Sequence, residues 1–395
     1  MASDPKNNPA MEDWLPGVLS ARQLSHLANE GFLQHVTPKA ISYSAVDLHL
    51  ADNGYCLPEG SVKPFGERYL PQLINQKLVN PLTAEGGTFR LERTKTYLFP
   101  VRERLNLRNQ NFRFFGQATA KSSVGRVDVL ARLIVDGMSS YEGFTPEAAR
   151  SGSGEMYIEI TPITFNVRVK PDIALTQLRL FKGEPSEFAI RTPALYEAVL
   201  KQSAANDGTL SVDLSPVEIG GLMTSAFVAT SDDTDDAIPL WEEAPKPKPW
   251  NYWRFANADS RGRLRIEENN FYILRSKERI ALPPGIAVYC QASDETIGEM
   301  RIHYAGFVHP NFGREHAQIG TPLIFEVRGH NVNVSLRDGE IMARLIFYRM
   351  SADAEPAPEP DSLYEGQNLQ LSKFFEKWPD KLNAASNGRV APSTL

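Results

Sequence analysis

Five residues of one short segment have side chains or backbone that could bind a phosphate group. They are Lys121, Ser122, Ser123, Gly125 and Arg126, in the sequence KSSVGR. Two hydroxyls and the backbone N–H groups of such a turn can donate hydrogen bonds to phosphate oxygens, and the glycine permits close approach. The lysine adds a point charge, and the arginine guanidinium can bind two oxygens at once. We call residues 121–126 the cradle. A plain surface turn is the alternative, and the G-x-x-x-x-G-K-[ST] pattern of a P-loop is absent.

One carboxylate downstream of the cradle could transfer protons. Glu159 stands in GEMYIEI, a stretch whose apolar residues are typical of a buried strand. A carboxyl group in a dry pocket can take a proton from water and pass it to a leaving group, provided that its pKa is tuned. The alternative is a structural residue held in a salt bridge. The sequence therefore offers one anion site and one acid–base candidate.

The two halves of the chain resemble each other. GTFRLERTKTYLFPVRERLNL, from Gly87, aligns without a gap on GRLRIEENNFYILRSKERIAL, from Gly262. SAVDLHL upstream matches LSVDLSP, and MYIEITP around Glu159 matches LIFEVRG around Glu326. The spacing between matched blocks changes only slightly along the chain, as loops of unequal length would produce. Matching blocks in the same order indicate an internal duplication.

The elements that must position these residues are mostly strands. Short aromatic and β-branched stretches, separated by Gly, Pro, Asn and Asp, predict an all-β fold, with a compact barrel or sandwich in each repeat. The S-x-x-Q sequence at Ser20 predicts a capped helix, and ALYEAVLKQ predicts a second one. We predict a first repeat at 13–182, a second repeat at 193–350 and an amphipathic tail helix at 361–378. The acidic, Pro-rich stretch 231–250 is interpreted as an insertion in the second repeat, solvated or used as an interaction surface.

Composition excludes several classes of protein. The chain has 395 residues, 42% of them hydrophobic, and a formal net charge of −6, which disfavours a protein that binds nucleic acid polymers nonspecifically. No stretch approaches the ~20 apolar residues of a membrane span, and the polar, acidic start is not a secretory signal. Cys56 and Cys290 stand in no metal-binding spacing. These features predict a reduced, cytoplasmic protein without zinc.

Several motifs resemble those of the dCTP deaminases, members of the dUTPase-like all-β superfamily. KSSVGR resembles the R-S-S-x-A-R motif, with Lys121 in place of the first arginine. VLSARQLSHLANEGFL resembles the family's leading helix, SYSAVDLHL its Q-P-x-S-x-D-L-R-L strand, and GEMYIEI its G-x-I-x-L-E-F strand. The Y-x-x-Q at 364–367 resembles the closing segment. The duplicated length matches the two-domain bacterial branch, and the resemblance implies two tandem dUTPase-like distorted β-barrels with minor helices.

This resemblance implies zinc-independent hydrolytic deamination of dCTP to dUTP and ammonia, in the biosynthesis of dUMP and dTMP. It makes Glu159 the catalytic residue and implies Mg²⁺ with the triphosphate. It also implies a homotrimer of six barrels, with sites at subunit contacts. The H-x-E and P-C-x-x-C motifs of zinc deaminases are absent. The resemblance assigns substrate binding to Lys121, Ser122, Ser123, Gly125, Arg126, Asp136, Tyr157, Ile158, Tyr364 and Gln367.

The family's I-D-P-G-[WF] segment has no clear match in the first repeat, where Asp136 is aligned to its aspartate. The second repeat has DETIGE where the first has KSSVGR. Acidic side chains there would repel a triphosphate. We therefore expect one active site per chain, in the first repeat, with Glu326 structural. The tail with Tyr364 and Gln367 is expected to close over the first repeat of the same or a neighbouring chain. Two alternatives stay open: a bifunctional deaminase that also hydrolyses dUTP to dUMP, and a non-catalytic nucleotide-binding paralogue.

Overall fold

A computed structural model of the chain describes residues 11–106, 113–147, 152–201, 207–230, 235–292, 300–302, 306–314, 317–354, 366–385 and 388–393. Strands dominate these residues. The α-helices are short: Ala21–Asn29, Tyr69–Asn75, Ser122–Gly125 and Pro193–Val199. Single 3₁₀ turns lie at Met11–Asp13, Pro38–Ala40, Pro185–Phe188 and Pro249–Asn251. The all-β prediction is confirmed. In the part of the chain described, no helix is both long and apolar enough to cross a membrane.

The first repeat folds into two main sheets that curl around a common core. In one sheet, Phe114–Ala120 and Ala174–Lys182 pair antiparallel; in the other, Met156–Pro162 lies between Val129–Val135 and Thr96–Pro100. The other strands of this repeat are Gly17–Val18, Leu33–Gln34, Ile41–Ser42, Ala45–His49, Tyr55–Leu57, Asn80–Pro81, Phe89–Leu91, Arg104–Leu105, Gly143–Phe144 and Val167–Val169.

The second repeat is built around one large sheet. Phe271–Ile280 is its central strand, and Thr321–Gly329 pairs with it antiparallel. The other strands after residue 183 are Ala189–Ile190, Leu200–Lys201, Thr209–Asp213, Val217–Ile219, Leu222–Thr224, Ala226–Ala229, Ile238–Pro239, Trp253–Ala256, Arg263–Ile266, Ile286–Ala292, Met300–Ile302, Gly306–Val308, Val334–Arg337, Ile341–Arg349, Leu382–Ala384 and Val390–Pro392.

Matched positions of the repeats make matched contacts, as a duplication requires. Leu98 pairs with Glu159 in the first repeat, and Ile273 pairs with Glu326 in the second. The hydroxyl of Tyr97 accepts a hydrogen bond from the backbone N–H of Glu92, at 2.9 Å. Tyr272 accepts the equivalent bond at 3.1 Å. The strand registers therefore agree with the sequence alignment of the repeats.

Both predicted helices form. Ser20 caps Ala21–Asn29 through a capping box with Gln23, whose amide also donates to Ser351 Oγ at 2.7 Å. Leu24 and Leu27 are buried, as the apolar stripe indicates. The second helix, Pro193–Val199, begins with a proline, whose fixed φ suits the first turn. Through Gln23, the first helix thus contacts Ser351, which follows the last strand of the second repeat's sheet.

The two repeats share one interior. Ile238–Pro239, from the insertion of the second repeat, adds in parallel to Val167–Val169 of the first. Phe227, Trp253 and Phe271 pack in the same hydrophobic cluster as the first repeat's core. The insertion is therefore docked on the first repeat through a strand and is not a free loop.

The tail at 366–378 is extended and turned, so the helix predicted there is wrong for these residues. Leu369, Phe374 and Phe375 are buried in the first repeat's cluster. Asn368 and Ser372 accept hydrogen bonds from the backbone N–H groups of Leu369 and Phe374. In an α-helix these N–H groups would instead donate to carbonyl oxygens four residues earlier. Tertiary burial and these local bonds override the apolar spacing. Residues 361–365 lie outside the part described.

Candidate functional site

The cradle forms a single helical turn where the strand Phe114–Ala120 ends. The Lys121 N–H donates to Leu175 O at 2.9 Å, and the Val124 N–H closes the turn onto Lys121 O at 2.8 Å. Ser123 and Arg126 are buried. The prediction of a tight turn at KSSVGR is confirmed, and the turn lies where the first repeat meets the second.

A cavity between the repeats joins the cradle to a carboxylate of the second repeat. Lys121, Ser122 and Arg126 line it from one side, and Glu326 lines it from the other, with Gln367 of the tail. Arg126 donates from Nη2 to Gln367 Oε1 at 2.9 Å and from Nη1 to Gln370 O at 3.3 Å. The tail therefore closes over the cradle of its own chain.

Glu326 has the electrostatic character of an acid–base group. It is 5% exposed, on the strand Thr321–Gly329. Burial raises the pKa of its carboxyl to about 8, although the positive charge of Arg126 acts to lower it. A carboxyl with such a pKa exchanges protons near neutral pH, which acid–base catalysis requires.

An apolar wall faces this carboxylate, and it also comes from the second repeat. Its residues are Gly306, Phe307, Val308, His309, Phe312, Ile324 and Phe325. The His309 ring stacks on Tyr43 of the first repeat, with centroids 4.7 Å apart. Within the described chain neither of its ring nitrogens has a hydrogen-bond partner, and burial lowers its pKa to about 4. The wall can hold a flat, neutral ring beside Glu326.

Glu159 lies elsewhere, in a separate polar cluster. Its carboxylate accepts hydrogen bonds from Arg132 and, at 3.0 Å, from Ser61 Oγ; its second oxygen accepts from Tyr141 OH at 3.2 Å. The Arg132 guanidinium also stacks on Tyr141, 4.0 Å from the ring centroid. The structure therefore does not bring Glu159 to the cradle of its own chain, contrary to the sequence-based expectation.

Strand geometry explains this separation. The cradle leads directly into Val129–Val135, and Glu159 pairs with Arg132 on that strand. At ~3.3 Å per residue, Arg132 is roughly 10 Å beyond Val129, so the strand carries the chain away from the cradle. The second repeat instead presents Glu326 across the cavity from this turn.

The other first-repeat residues that were assigned to substrate binding lie in two separate places, near Glu159 or in the cradle. Asp136 is buried and accepts hydrogen bonds from the Tyr69 N–H at 2.9 Å and from Ser153 Oγ at 2.7 Å. Tyr157 packs on the Tyr69 ring. Asp136, Tyr157 and Ile158 therefore lie in the same part of the first repeat as Glu159. Ser122, Ser123 and Gly125 lie with Lys121 and Arg126 in the cradle. Tyr364 and all of DETIGE, residues 294–299, lie outside the described residues, so the expected repulsion there stays a prediction.

Sequence reasoning missed the second repeat's half of the site, although a signal was present. VHPNF at 308–312 resembles the I-D-P-G-[WF] segment that the first repeat lacks. In the register that aligns DETIGE with KSSVGR, His309 is the counterpart of Asp136. In the register that aligns LIFEVRG with MYIEITP, the counterparts of Tyr157, Ile158 and Glu159 are Ile324, Phe325 and Glu326. A glutamate does lie across a cavity from the cradle, but it belongs to the second repeat.

Two polar contacts hold the halves of the site together. Asp128, just after the cradle, forms a buried ion pair at 3.0 Å with Arg328, which follows Glu326 on the same strand. Arg179 of the first repeat donates to Val288 O at 3.0 Å and stacks on Phe307, 3.9 Å from the ring centroid. Both contacts cross between the repeats, so they fix the spacing of cradle, wall and carboxylate.

Comparisons with known proteins agree with this architecture. A model of the 2'-deoxycytidine 5'-triphosphate deaminase N-terminal domain matches residues 15–184, and a model of the C-terminal domain matches residues 191–375. No curated protein sequence matches the chain significantly. A crystal structure of 2'-deoxycytidine 5'-triphosphate deaminase from Agrobacterium tumefaciens is similar, with a TM-score of 0.74 and 26% identity. The similarity covers 86% of this chain and 99% of that one.

Proposed function

Because the chain belongs to the 2'-deoxycytidine 5'-triphosphate deaminase family, its reaction is the hydrolysis of dCTP to dUTP and ammonia, and we propose that a composite site performs it. The first repeat supplies the cradle for the triphosphate. The second repeat supplies the apolar wall for cytosine and Glu326 as the catalytic carboxylate. The observation that carries this assignment is the single cavity lined by both Arg126 and Glu326.

The proton transfers follow from the position of Glu326. As a carboxylate it accepts a proton from a water molecule, whose oxygen adds to C4 of the cytosine ring. The carboxyl passes that proton to N3 of the ring, then takes the proton of the new C4 hydroxyl and gives it to the amino group, so that ammonia leaves and the C4 carbonyl of uracil forms. Burial keeps other water away from the reacting atoms and raises the pKa of Glu326 toward that of a useful acid and base.

We propose that Mg²⁺ accompanies the triphosphate, carried mainly by phosphate and water oxygens. Among the described residues, no cluster of three or more His, Cys, Asp or Glu could hold a metal by itself, which suits an ion brought by the substrate. Asp47, whose carboxylate pairs with Lys121, is the side chain that would contact the ion. When bound, the ion partly neutralises the phosphate charge.

A homotrimer of six barrels and a cytoplasmic location are further parts of the proposal. The first is what the family resemblance implies, since the composite site is itself complete within one chain. Both cysteines are free, which suits a reducing compartment. Light scattering of the purified protein at several concentrations measures the assembly directly.

Incubation of the protein with dCTP, CTP, dCMP or dUTP, with the products resolved by chromatography, tests the function. We expect ammonia and dUTP from dCTP and no reaction of dCMP, since the cradle is built for a triphosphate. Release of pyrophosphate together with dUMP would identify the bifunctional alternative. Binding of dCTP without any product would identify the non-catalytic paralogue and contradict the proposal.

The pH dependence of kcat/KM should report the ionisation of Glu326. Burial raises its pKa to about 8, and the carboxylate is the form that accepts the proton of water. Below that pH, kcat/KM should fall about tenfold per pH unit as the carboxyl becomes protonated, and above it kcat/KM should level off. A profile that is flat between about pH 6 and pH 9 would contradict the role of Glu326 as base.

A further inference from the structure

A lysine of the tail lies at the rim of the cradle. Lys373 lines a cavity together with Lys121, Ser122 and Ser123. The preceding residue, Ser372, donates from Oγ to Ser123 O at 2.7 Å, which fixes the tail backbone at this point. The Lys373 side chain is 21% exposed, so its ammonium is partly withdrawn from water. Two ammonium groups therefore line this cavity, that of Lys121 within KSSVGR and that of Lys373 outside it.

A carboxylate of the acidic insertion contacts this lysine. Glu242 forms an ion pair and hydrogen bond with Lys373. The hydrogen bond from Lys373 lowers the pKa of Glu242, and the charges of Lys246 and Lys121 act in the same direction. Glu242 therefore lies within the positive field of the cradle, which is the field that attracts the phosphates.

The insertion delivers Glu242 from a fixed position. Ile238 N–H donates to Asn166 O at 2.9 Å, and Leu240 N–H donates to Arg168 O at 3.0 Å, so the backbone continues the sheet of the first repeat. The carboxylate of Asp235 binds Asn166 Nδ2 at 2.7 Å. Leu240 is buried. An anchored segment of this kind holds its carboxylate near Lys373 at little entropic cost.

We propose that Lys373 binds the phosphates of dCTP and that Glu242 competes with them for its ammonium, so that the insertion weakens triphosphate binding. The cavity that Lys373 lines shares Lys121 and Ser122 with the cavity of Glu326, and an ammonium there attracts a phosphate oxygen as it attracts a carboxylate. Glu242 must release Lys373 before the phosphates take it, and that exchange reduces the affinity for substrate. The inference rests on the proposed function, since it places the triphosphate at the cradle.

Neighbouring glutamates provide a matched pair of variants. Glu242→Gln removes the competing charge, and KM for dCTP should fall roughly two- to fivefold with kcat unchanged, the range for a partly exposed ion pair. Glu243→Gln makes the same charge change on the next residue, whose partner is Lys170 at 3.7 Å. It should behave as the wild type. Equal effects of both variants would show a diffuse charge effect and overturn the proposal.

A double variant separates the Lys373 contact from any other effect of Glu242. Lys373→Met should raise KM about tenfold, as expected for the loss of a charged hydrogen-bond donor. In that background Glu242→Gln should have no further effect, because the group it competes for is gone. A Glu242→Gln gain that persists without Lys373 would overturn the proposal, as would no gain in the wild-type background.

Calorimetric titration of the same proteins with inorganic tripolyphosphate keeps this test independent of the reaction. Tighter binding by Glu242→Gln, lost in the Lys373→Met background, supports competition for a phosphate site. Unchanged binding overturns it. Turnover of dCTP by the wild type is measured in parallel. Failure of that turnover would contradict the proposed function, whereas failure of the tripolyphosphate effect would contradict only the roles of Glu242 and Lys373.

Discussion

Replacement of Glu326 by Gln should lower kcat for dCTP deamination by roughly two to four decades, the usual scale for loss of an acid–base group. Glutamine keeps the shape of the side chain but cannot accept the proton of water. Binding of dCTP should persist, because the cradle is untouched. Near pH 7 the fold should keep its stability, since burial raises the pKa of Glu326 to about 8 and the carboxyl is then largely uncharged. Ammonia release and dCTP titration measure the two effects.

Glu159→Gln is the matched control, because Glu159 occupies the same position in the other repeat. Its carboxylate is paired with Arg132, and the variant leaves that guanidinium without its counter-charge. We expect a loss of stability on the order of 2 kcal/mol and turnover close to that of the wild type. Near-normal ammonia release by Glu326→Gln, with loss in Glu159→Gln, would reverse the assignment.

Arg126→Ala should have the next largest effect. The guanidinium holds the tail through Gln367 and Gln370 and contributes positive charge beside Glu326. Its loss should raise KM for dCTP about tenfold or more. Because the charge of Arg126 lowers the pKa of Glu326, its loss should also move the acid limb of the kcat/KM profile to higher pH.

Arg126→Lys separates the two roles of this residue. Lysine keeps the positive charge but cannot make both tail contacts with one planar group. It should therefore keep the acid limb close to its wild-type position while KM still rises. Unchanged affinity for dCTP in Arg126→Ala would show that the phosphates bind elsewhere.

Local features of the fold could be predicted because short-range physics determines them. Ser20 and Gln23 form their capping box, the alternating strands pair in matched registers, and KSSVGR makes a tight turn. The tail could not be predicted in the same way. Phe374 and Trp378 are four residues apart, as on one face of a helix, but both pack on a cluster of residues that are distant in sequence.

A phosphate-binding turn and a glutamate could be predicted as partners, but the repeat whose glutamate lies across the cavity could not. The cradle and Glu159 were expected to act together, because both match motifs of the family within one repeat. Antiparallel pairing puts Glu159 opposite Arg132 instead, on the strand that leads away from the cradle. The contact between Arg126 and the barrel that carries Glu326 is long-range, and no local pattern encodes it. The VHPNF segment in the second repeat was the available indication.

A crystal structure of the Glu326→Gln protein with dCTP and Mg²⁺ tests the composite site most directly. We expect one dCTP per chain, with its phosphates at Lys121, Ser122 and Arg126. C4 of the cytosine should lie beside the side chain of residue 326, against the wall of the second repeat. Cytosine bound against Glu159 instead, or a second dCTP at DETIGE, would contradict it.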